Sequence, residues 1–270
     1  MSDREARLQE IETRGYTLFE DALPAGTLAE LREELERLYA RHAEITGRPW
    51  GPERPLENVT NKSLRFLDAI EAARAVLEVV EALLGPNMVL ASLNARSSAA
   101  HTPAQGLHRD HQGPLLYERT SDGRFRPAHL YVQTLWVLDD MTPERGATRI
   151  VPGTHVPEAG SPRAGSPYGE PIPVVVPAGT VVLFAASLWH GGGEHTAPGV
   201  RRLLHGFFSR GFCMPQFDNL RSMPPDLLAR CTPFQRQLLG YDRQVAWEEG
   251  WGEWRLYELP GTPSRRVWEQ

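Results

Sequence analysis

Within the run GLHRDHQG at 106–113, His108 and Asp110 stand two residues apart, and His190 follows far downstream in LWHGGG at 188–193. Two imidazoles and one carboxylate form the ligand set that holds a non-haem Fe(II) while leaving coordination positions free for reactants. If 106–110 runs as a strand, side chains at i and i+2 project from one face, so His108 and Asp110 share an ion while His111 faces away. His190 comes at the end of the apolar run GTVVLFAAS and precedes the glycines at 191–193, whose bare backbone allows close approach beside a metal. Each motif alone is weak, because a lone histidine after a strand is as often a buried structural residue.

The tripeptide HRD also begins the protein-kinase catalytic loop. That loop needs an asparagine five residues after the aspartate, and Leu115 stands there, with no Gly-rich loop upstream. Eleven residues beyond His190 comes Arg201, followed by Arg202, at the start of VRRLLHGFF. A guanidinium fork pairs in bidentate fashion with a carboxylate, so an inward-facing arginine is a natural anchor for a dicarboxylic cosubstrate beside the metal. Neighbours on a strand alternate in facing, so only one of the two arginines points inward.

These residues, with GYTLFEDALPAGTLAELREEL, LWVLDDMTPERGATRIVPGTH, AGTVVLFAASLWHGGG and TPFQRQLLGY, resemble the phytanoyl-CoA dioxygenase family of Fe(II)- and 2-oxoglutarate-dependent oxygenases from about residue 14 to about residue 241. The resemblance implies that His108, Asp110 and His190 ligate iron and that Arg201 binds the distal carboxylate of 2-oxoglutarate. It further implies that Trp136 lines the cosubstrate pocket. Gly192 stands where some members carry a small hydroxyl residue, which removes that contact. The cofactors implied are Fe(II), 2-oxoglutarate and O2, and because Asp110 is retained, hydroxylation is favoured over halogenation.

The elements that must position these residues are legible in outline. Thr27 and Glu30 form a capping-box pattern before an amphipathic helix from about Leu28 to Tyr39, and Leu77, Val80, Leu83 and Leu84 make a second helical stripe that stops at Gly85. The stretch GRPWGPERP at 47–55 reads as a loop between them. From residue 86 the period becomes alternating, and short β-rich runs separated by Gly, Pro and Asp imply a mainly β fold with flanking helices, a double-stranded β-helix (jelly roll, cupin-like). We expect one domain over 1–270, with N-terminal helices about 25–85, a jelly-roll core about 86–212 and a helical, then irregular C-terminal part. The Gly-, Ser- and Pro-rich segment 158–171 is a lid candidate, and Trp247, Trp251, Trp254 and Trp268 read as packing or interface residues.

Composition bounds the function. At 41% hydrophobic and 23% charged, with 24 Gly and 23 Pro in 270 residues, the chain is globular and rich in turns. A net charge of -5 with scattered arginines argues against a nucleic-acid surface and for a small-molecule substrate. Cys213 and Cys231 form no CxxC pattern, so neither a disulfide framework nor a zinc site is indicated. The charged opening MSDREARLQE and the absence of a long apolar run predict a cytoplasmic protein with no membrane span. Oligomeric state is left open.

The reading is therefore an oxygenase that hydroxylates an unactivated C–H bond of a small molecule, with release of succinate and CO2. The alternatives are a cupin-like metalloenzyme that dispenses with 2-oxoglutarate, and a non-catalytic jelly-roll binding module. Asn94, Arg96, Gln133 and Arg149 are candidates for orienting the substrate.

Overall fold

The computed structural model describes residues 2–111, 116–119, 125–156, 159–162 and 167–241. The N-terminal half contributes α1 (Asp3–Arg14), β1 (Tyr16–Phe19), α2 (Ala25–Thr46), β2 (Glu53–Leu56), α3 (Arg65–Ala72) and α4 (Arg74–Leu84). Strands follow: β3 (Val89–Ala99), β4 (Leu116–Arg119), β5 (Phe125–Ala128), β6 (Tyr131–Val137), β7 (Arg149–Ile150), β8 (Ile172–Pro173), β9 (Val181–Ala185), β10 (His190–Gly191) and β11 (Val200–Ser209). Short helices α5 (Asn219–Ser222), α6 (Pro225–Leu228) and α7 (Pro233–Leu238) close the described chain.

Two antiparallel sheets carry the fold. The larger runs β1-β9-β6-β11-β3-β2, the smaller β10-β7-β8, and β4 pairs β5 as a separate hairpin. Strand pleat explains how one large sheet serves two cores. Val181, Leu183, Trp136, Leu204 and Phe208 face the helices and pack with Leu31, Leu35, Phe66, Ile70, Leu77 and Val80. Val182, Phe184, Leu135, Val137 and Leu203 face the other way and pack with Ile150, Val174, Val176 and Leu188 of the small-sheet side. This is the expected jelly roll, with helices on its outer face.

Local differences from the sequence reading have physical causes. Thr27 does not cap α2; the helix begins at Ala25 behind Pro24, which makes no side-chain cap bond but whose carbonyl accepts the Leu28 N–H at 3.0 Å. Leu28, Leu31, Leu35, Leu38 and Tyr39 are buried as their spacing requires, and the helix runs on to Gly47, held at φ 64. The unexpected helix α1 carries a complete capping box between Ser2 and Glu5, a signal present in the sequence as S-x-x-E. The loop expected at 47–55 contains β2, an edge strand, where Pro55 is tolerated because its missing N–H costs no ladder bond on the free side. GLHRD is not a strand: only His108 pairs, through a single bridge to His190. The four C-terminal tryptophans lie outside the described residues, as do 158 and 163–166 of the lid candidate, whose described parts do not line the cavity that holds the candidate site. No helix among the described residues is long and apolar enough to cross a membrane.

Gly206 in the middle of β11 backs onto Trp136, whose Nε1 donates to Thr134 Oγ1 at 2.8 Å. A Cβ there would sit 2.5 Å from that hydroxyl. Gly206→Ala is expected to destabilise the protein by about 1–3 kcal/mol through overpacking, read as a lowered urea midpoint at unchanged m-value.

Candidate functional site

His190 belongs to β10 and is placed by that strand's pairing with β7, His190 opposite Ile150. Its Nδ1 lies 3.0 Å from Leu188 O, so that nitrogen is the donor and Nε2 carries the lone pair. His108 repeats the arrangement, with Nδ1 2.9 Å from Gly106 O. The backbones of the two residues exchange both bonds of a bridge, His108 N–H to His190 O at 2.8 Å and His190 N–H to His108 O at 3.0 Å. Asp110 lies beyond the bridge. Between them Arg109 turns outward, stacks on Trp189 at 5.3 Å and donates to the carbonyls of Thr154, at 2.7 Å, and Ala159, which ties the irregular ligand segment to the protein.

The ligand atoms converge. His108 Nε2 is 3.6 Å from Asp110 Oδ1, His190 Nε2 is 3.5 Å from Asp110 Oδ2, and all three donors lie within 4.8 Å of one another. Burial would raise the Asp110 carboxyl, but the imidazoles around it, His190 first and then His205 and His108, outweigh burial whenever they carry a proton and lower the group to about 2. Nitrogen and carboxylate donors at this spacing suit a divalent transition ion, and two fixed tautomers already aim their lone pairs at it. His111 points elsewhere, against Tyr131 with ring centroids 4.4 Å apart, as expected.

The same cavity, about 460 Å³, reaches Arg201 on β11. Arg201 is 7% exposed and meets no carboxylate within ion-pair distance among the described residues. Its Nε and Nη2 donate to the carbonyls of Arg145 and Gly146 at 3.3 and 3.2 Å, which pins one edge of the guanidinium. Burial lowers its pKa to about 10, so it stays charged at neutral pH. Arg202, one residue on, faces the helices and pairs with Asp139 at 2.8 Å and Glu36 at 3.0 Å, which settles which arginine points inward. A buried cation without an acid is costly unless a ligand completes it. Thr102, bridged to His195 as Arg145 is, also lines the cavity, and its Oγ1 is buried with no hydrogen-bond partner among the described residues. A carboxylate brought to this end would satisfy both groups, so the residues fit a dicarboxylate and offer Thr102 in place of the hydroxyl that Gly192 lacks.

Trp136 is not part of this cavity. It is 1% exposed on the opposite, helix-facing side of β6, because Leu135 takes the inward parity. Of the substrate candidates, Asn94 and Arg96 line the cavity; Gln133 lies beneath it, bonded to His205 Nε2, and Arg149 supports the wall from behind through Gln105 O at 2.5 Å and Gly192 O at 3.3 Å. His205 was missed in the sequence. It stands four residues after Arg201, the same strand parity, and its Nε2 is 4.0 Å from Asp110 Oδ2. Burial depresses it to about 4 against the pull of Asp110, which leaves a neutral imidazole beside the ligands.

With this geometry in place, comparison with known proteins is direct. Residues 11–203 match the profile of the family described as phytanoyl-CoA dioxygenase (PhyH). The dioxygenase trt7 of Aspergillus terreus is 33% identical over 170 residues, 61% of this chain and 57% of that protein. The iron/alpha-ketoglutarate-dependent dioxygenase ausU of Aspergillus calidoustus is 30% identical over 150 residues, 54% of this chain and 48% of that protein. The chain thus aligns with only about half the length of these two relatives. HygX from Streptomyces hygroscopicus, solved with nickel and 2-oxoglutarate bound, superposes with a TM-score of 0.63 at 21% identity, covering 80% of this chain and 89% of that one, which shows a shared fold.

The glycine after His190 has a geometric reason. A Cβ on Gly191 would lie 2.9 Å from Gly106 O, against the backbone that carries His108. Gly191→Ala is expected to weaken Co(II) binding about tenfold while thermal unfolding stays cooperative, measured by titration calorimetry and calorimetric melting.

Proposed function

The chain belongs to the phytanoyl-CoA dioxygenase family, and we propose that it is an iron- and 2-oxoglutarate-dependent dioxygenase whose reaction is hydroxylation of an unactivated C–H bond of a small molecule, with release of succinate and CO2. The observation that carries the reading is the meeting, on one cavity, of three converging ligand atoms and a buried arginine with no acid partner among the described residues. In this reading the whole chain, 1–270, acts as one catalytic domain.

His108, Asp110 and His190 would hold the iron. Bound there, the metal supplies the oxygen-activating chemistry that no side chain possesses. The remaining work belongs to the protein. Leu188 and Gly106 carbonyls keep both imidazoles in the tautomer that presents Nε2, and the ionised Asp110 needs no deprotonation before it ligates. Arg201 and Thr102 receive the distal carboxylate of 2-oxoglutarate, which fixes the cosubstrate's length and direction within the cavity. Leu135, Leu203 and Phe207 supply the apolar part of the cavity lining and exclude water from the reacting atoms. Neutral His205 stands close to Asp110 and adds no charge that would compete for it.

Succinate formation from 2-oxoglutarate with Fe(II) and ascorbate, together with a hydroxylated product carrying one atom from 18O2, is the outcome that this reading requires. Arg201→Met should raise the dissociation constant of 2-oxoglutarate on the Ni(II) protein on the order of 100-fold, equivalent to about 3 kcal/mol. Metal affinity is expected to change little. Undiminished 2-oxoglutarate binding in that variant would exclude the assignment of Arg201.

A further inference from the structure

The cavity has a second wall, and strand β3 sets its chemistry. Successive cavity-facing positions, Ser92, Asn94, Arg96 and Ser98, are all polar, whereas their partners in register on β11 are Phe207, His205, Leu203 and Arg201. The pleat turns Leu93 and Ala95, and with them the apolar face of β3, toward the helices.

Hydrogen-bond accounting gives this wall a sign. The Asn58 backbone N–H donates to Asn94 Oδ1 at 2.9 Å, and since a backbone N–H only donates, the orientation of the Asn94 amide is fixed. Its Nδ2 has no partner among the described residues, although the side chain is only 6% exposed. Asn58 is itself held by Thr60 and Asn219, at 2.6 and 3.2 Å, so the arrangement is built rather than incidental. Gln216 Oε1 is engaged with Ser92 Oγ at 2.5 Å, which leaves its NH2 free. Arg96 spends Nη1 on Glu57 Oε1 at 2.8 Å and keeps its other donors. Glu53, the one carboxylate of this wall, lies level with Ser98 and Arg201, at the far end from Asn94. Donors therefore face the cavity where its walls meet the metal ligands, and the acceptors behind them are already in use.

We propose that this cavity, taken as the active site described above, receives a primary substrate bearing a carboxylate, which Asn94, Arg96 and Gln216 bind, with the hydrocarbon portion laid against Phe207. A wholly apolar substrate would bury the Asn94 NH2 and the Arg96 donors without partners, and each unmet donor weakens binding about tenfold. Glu57 tempers the wall: it competes with the substrate carboxylate for Arg96.

The test uses protein loaded with Ni(II) and 2-oxoglutarate, so that the Arg201 end is filled, and follows 19F NMR line widths of 4-fluorobenzoate, 4-fluorobenzamide and 4-fluorotoluene. Binding is expected in that order, with no measurable broadening of the toluene. Asn94→Asp keeps the acceptor for Asn58 and replaces the inward donor by an acceptor, so 4-fluorobenzoate should weaken about tenfold; Arg96→Gln should act likewise. Glu57→Gln should strengthen 4-fluorobenzoate several-fold, a gain that a purely structural role for the Glu57–Arg96 pair would not produce. If Asn94→Asp fails to fold, the two partly exposed positions, 96 and 57, decide the matter. Equal or tighter binding of 4-fluorotoluene, or indifference of 4-fluorobenzoate to both Arg96→Gln and Glu57→Gln, would overturn the proposal. Failure of 2-oxoglutarate to bind, with the benzoate response to Arg96 and Glu57 intact, would fault the cosubstrate reading and leave this one standing.

Discussion

The pleat of β11, locked by β3 on one side and β6 on the other, is the constraint on which the site depends. In that register Arg201, Leu203, His205 and Phe207 face the cavity, while Arg202, Leu204 and Phe208 face the helices. A slip of one residue would exchange the two sets, burying an ion-paired arginine in the cavity and leaving Arg201 among leucines. Several interactions oppose such a slip. Arg202 donates its backbone N–H to Asp139 Oδ2 as well as pairing with it through the guanidinium, and Gly206 admits Trp136 and Thr134 only where no Cβ stands. The charged pair on the outer face thus helps to fix the residues on the inner one.

The candidate metal ligands follow a different principle. Strand geometry does not bring His108 and Asp110 together, because 106–110 makes only one bridge. What replaces a ladder is a set of side-chain and backbone ties: the reciprocal His108–His190 bridge, Gln105 N–H to Gly192 O at 3.0 Å, and Gln105 Oε1 accepting the Gly192 N–H at 3.0 Å. Arg109 completes them from outside. Sequence parity therefore singled out the pair that the structure brings together with His190, His108 and Asp110 rather than His111, for a reason that the backbone does not bear out. An H-x-D segment puts its ends on one side in several extended conformations, not in a strand alone.

Legibility varied with how local the cause was. The leucine stripes of α2 and α4, the apolar runs of β6, β9 and β11, and the alternate facing of Arg201 and Arg202 were all readable, since period alone decides them. The start of α2 was misplaced because a long-range bond, Leu23 N–H to Gly179 O at 3.0 Å, anchors the chain just ahead of Pro24 and the helix begins directly behind it. β2 was invisible because a proline-containing edge strand owes its existence to its partner. Trp136 was assigned inward by family likeness, although parity with Leu135 would have turned it outward. His205 shares the parity of Arg201 and was open to the same rule; Thr102 was not, since its position comes from a bridge to His195 nearly a hundred residues away.

Arg201 and Arg96, two of the arginines that line the cavity, differ in a way that suits two different tasks. Arg201 is buried, held by neutral carbonyls and without an acid, whereas Arg96 is about one-third exposed and already shares a proton donor with Glu57. Coulomb attraction at 4 Å is about 4 kcal/mol at an effective dielectric of 20 and about 1 kcal/mol in water. The deep arginine consequently grips an anion strongly and with little regard to salt, while the shallow one selects weakly and is screened. On the proposed assignment this is the useful order: a cosubstrate common to every turnover belongs at the deep position, and the molecule to be distinguished belongs at the wall, where donors on β3 and one competing carboxylate set the discrimination. Exchanging them would place the strong charge where specificity is needed and the weak one where retention is, so the depth of each guanidinium is itself part of how the cavity tells its two acids apart.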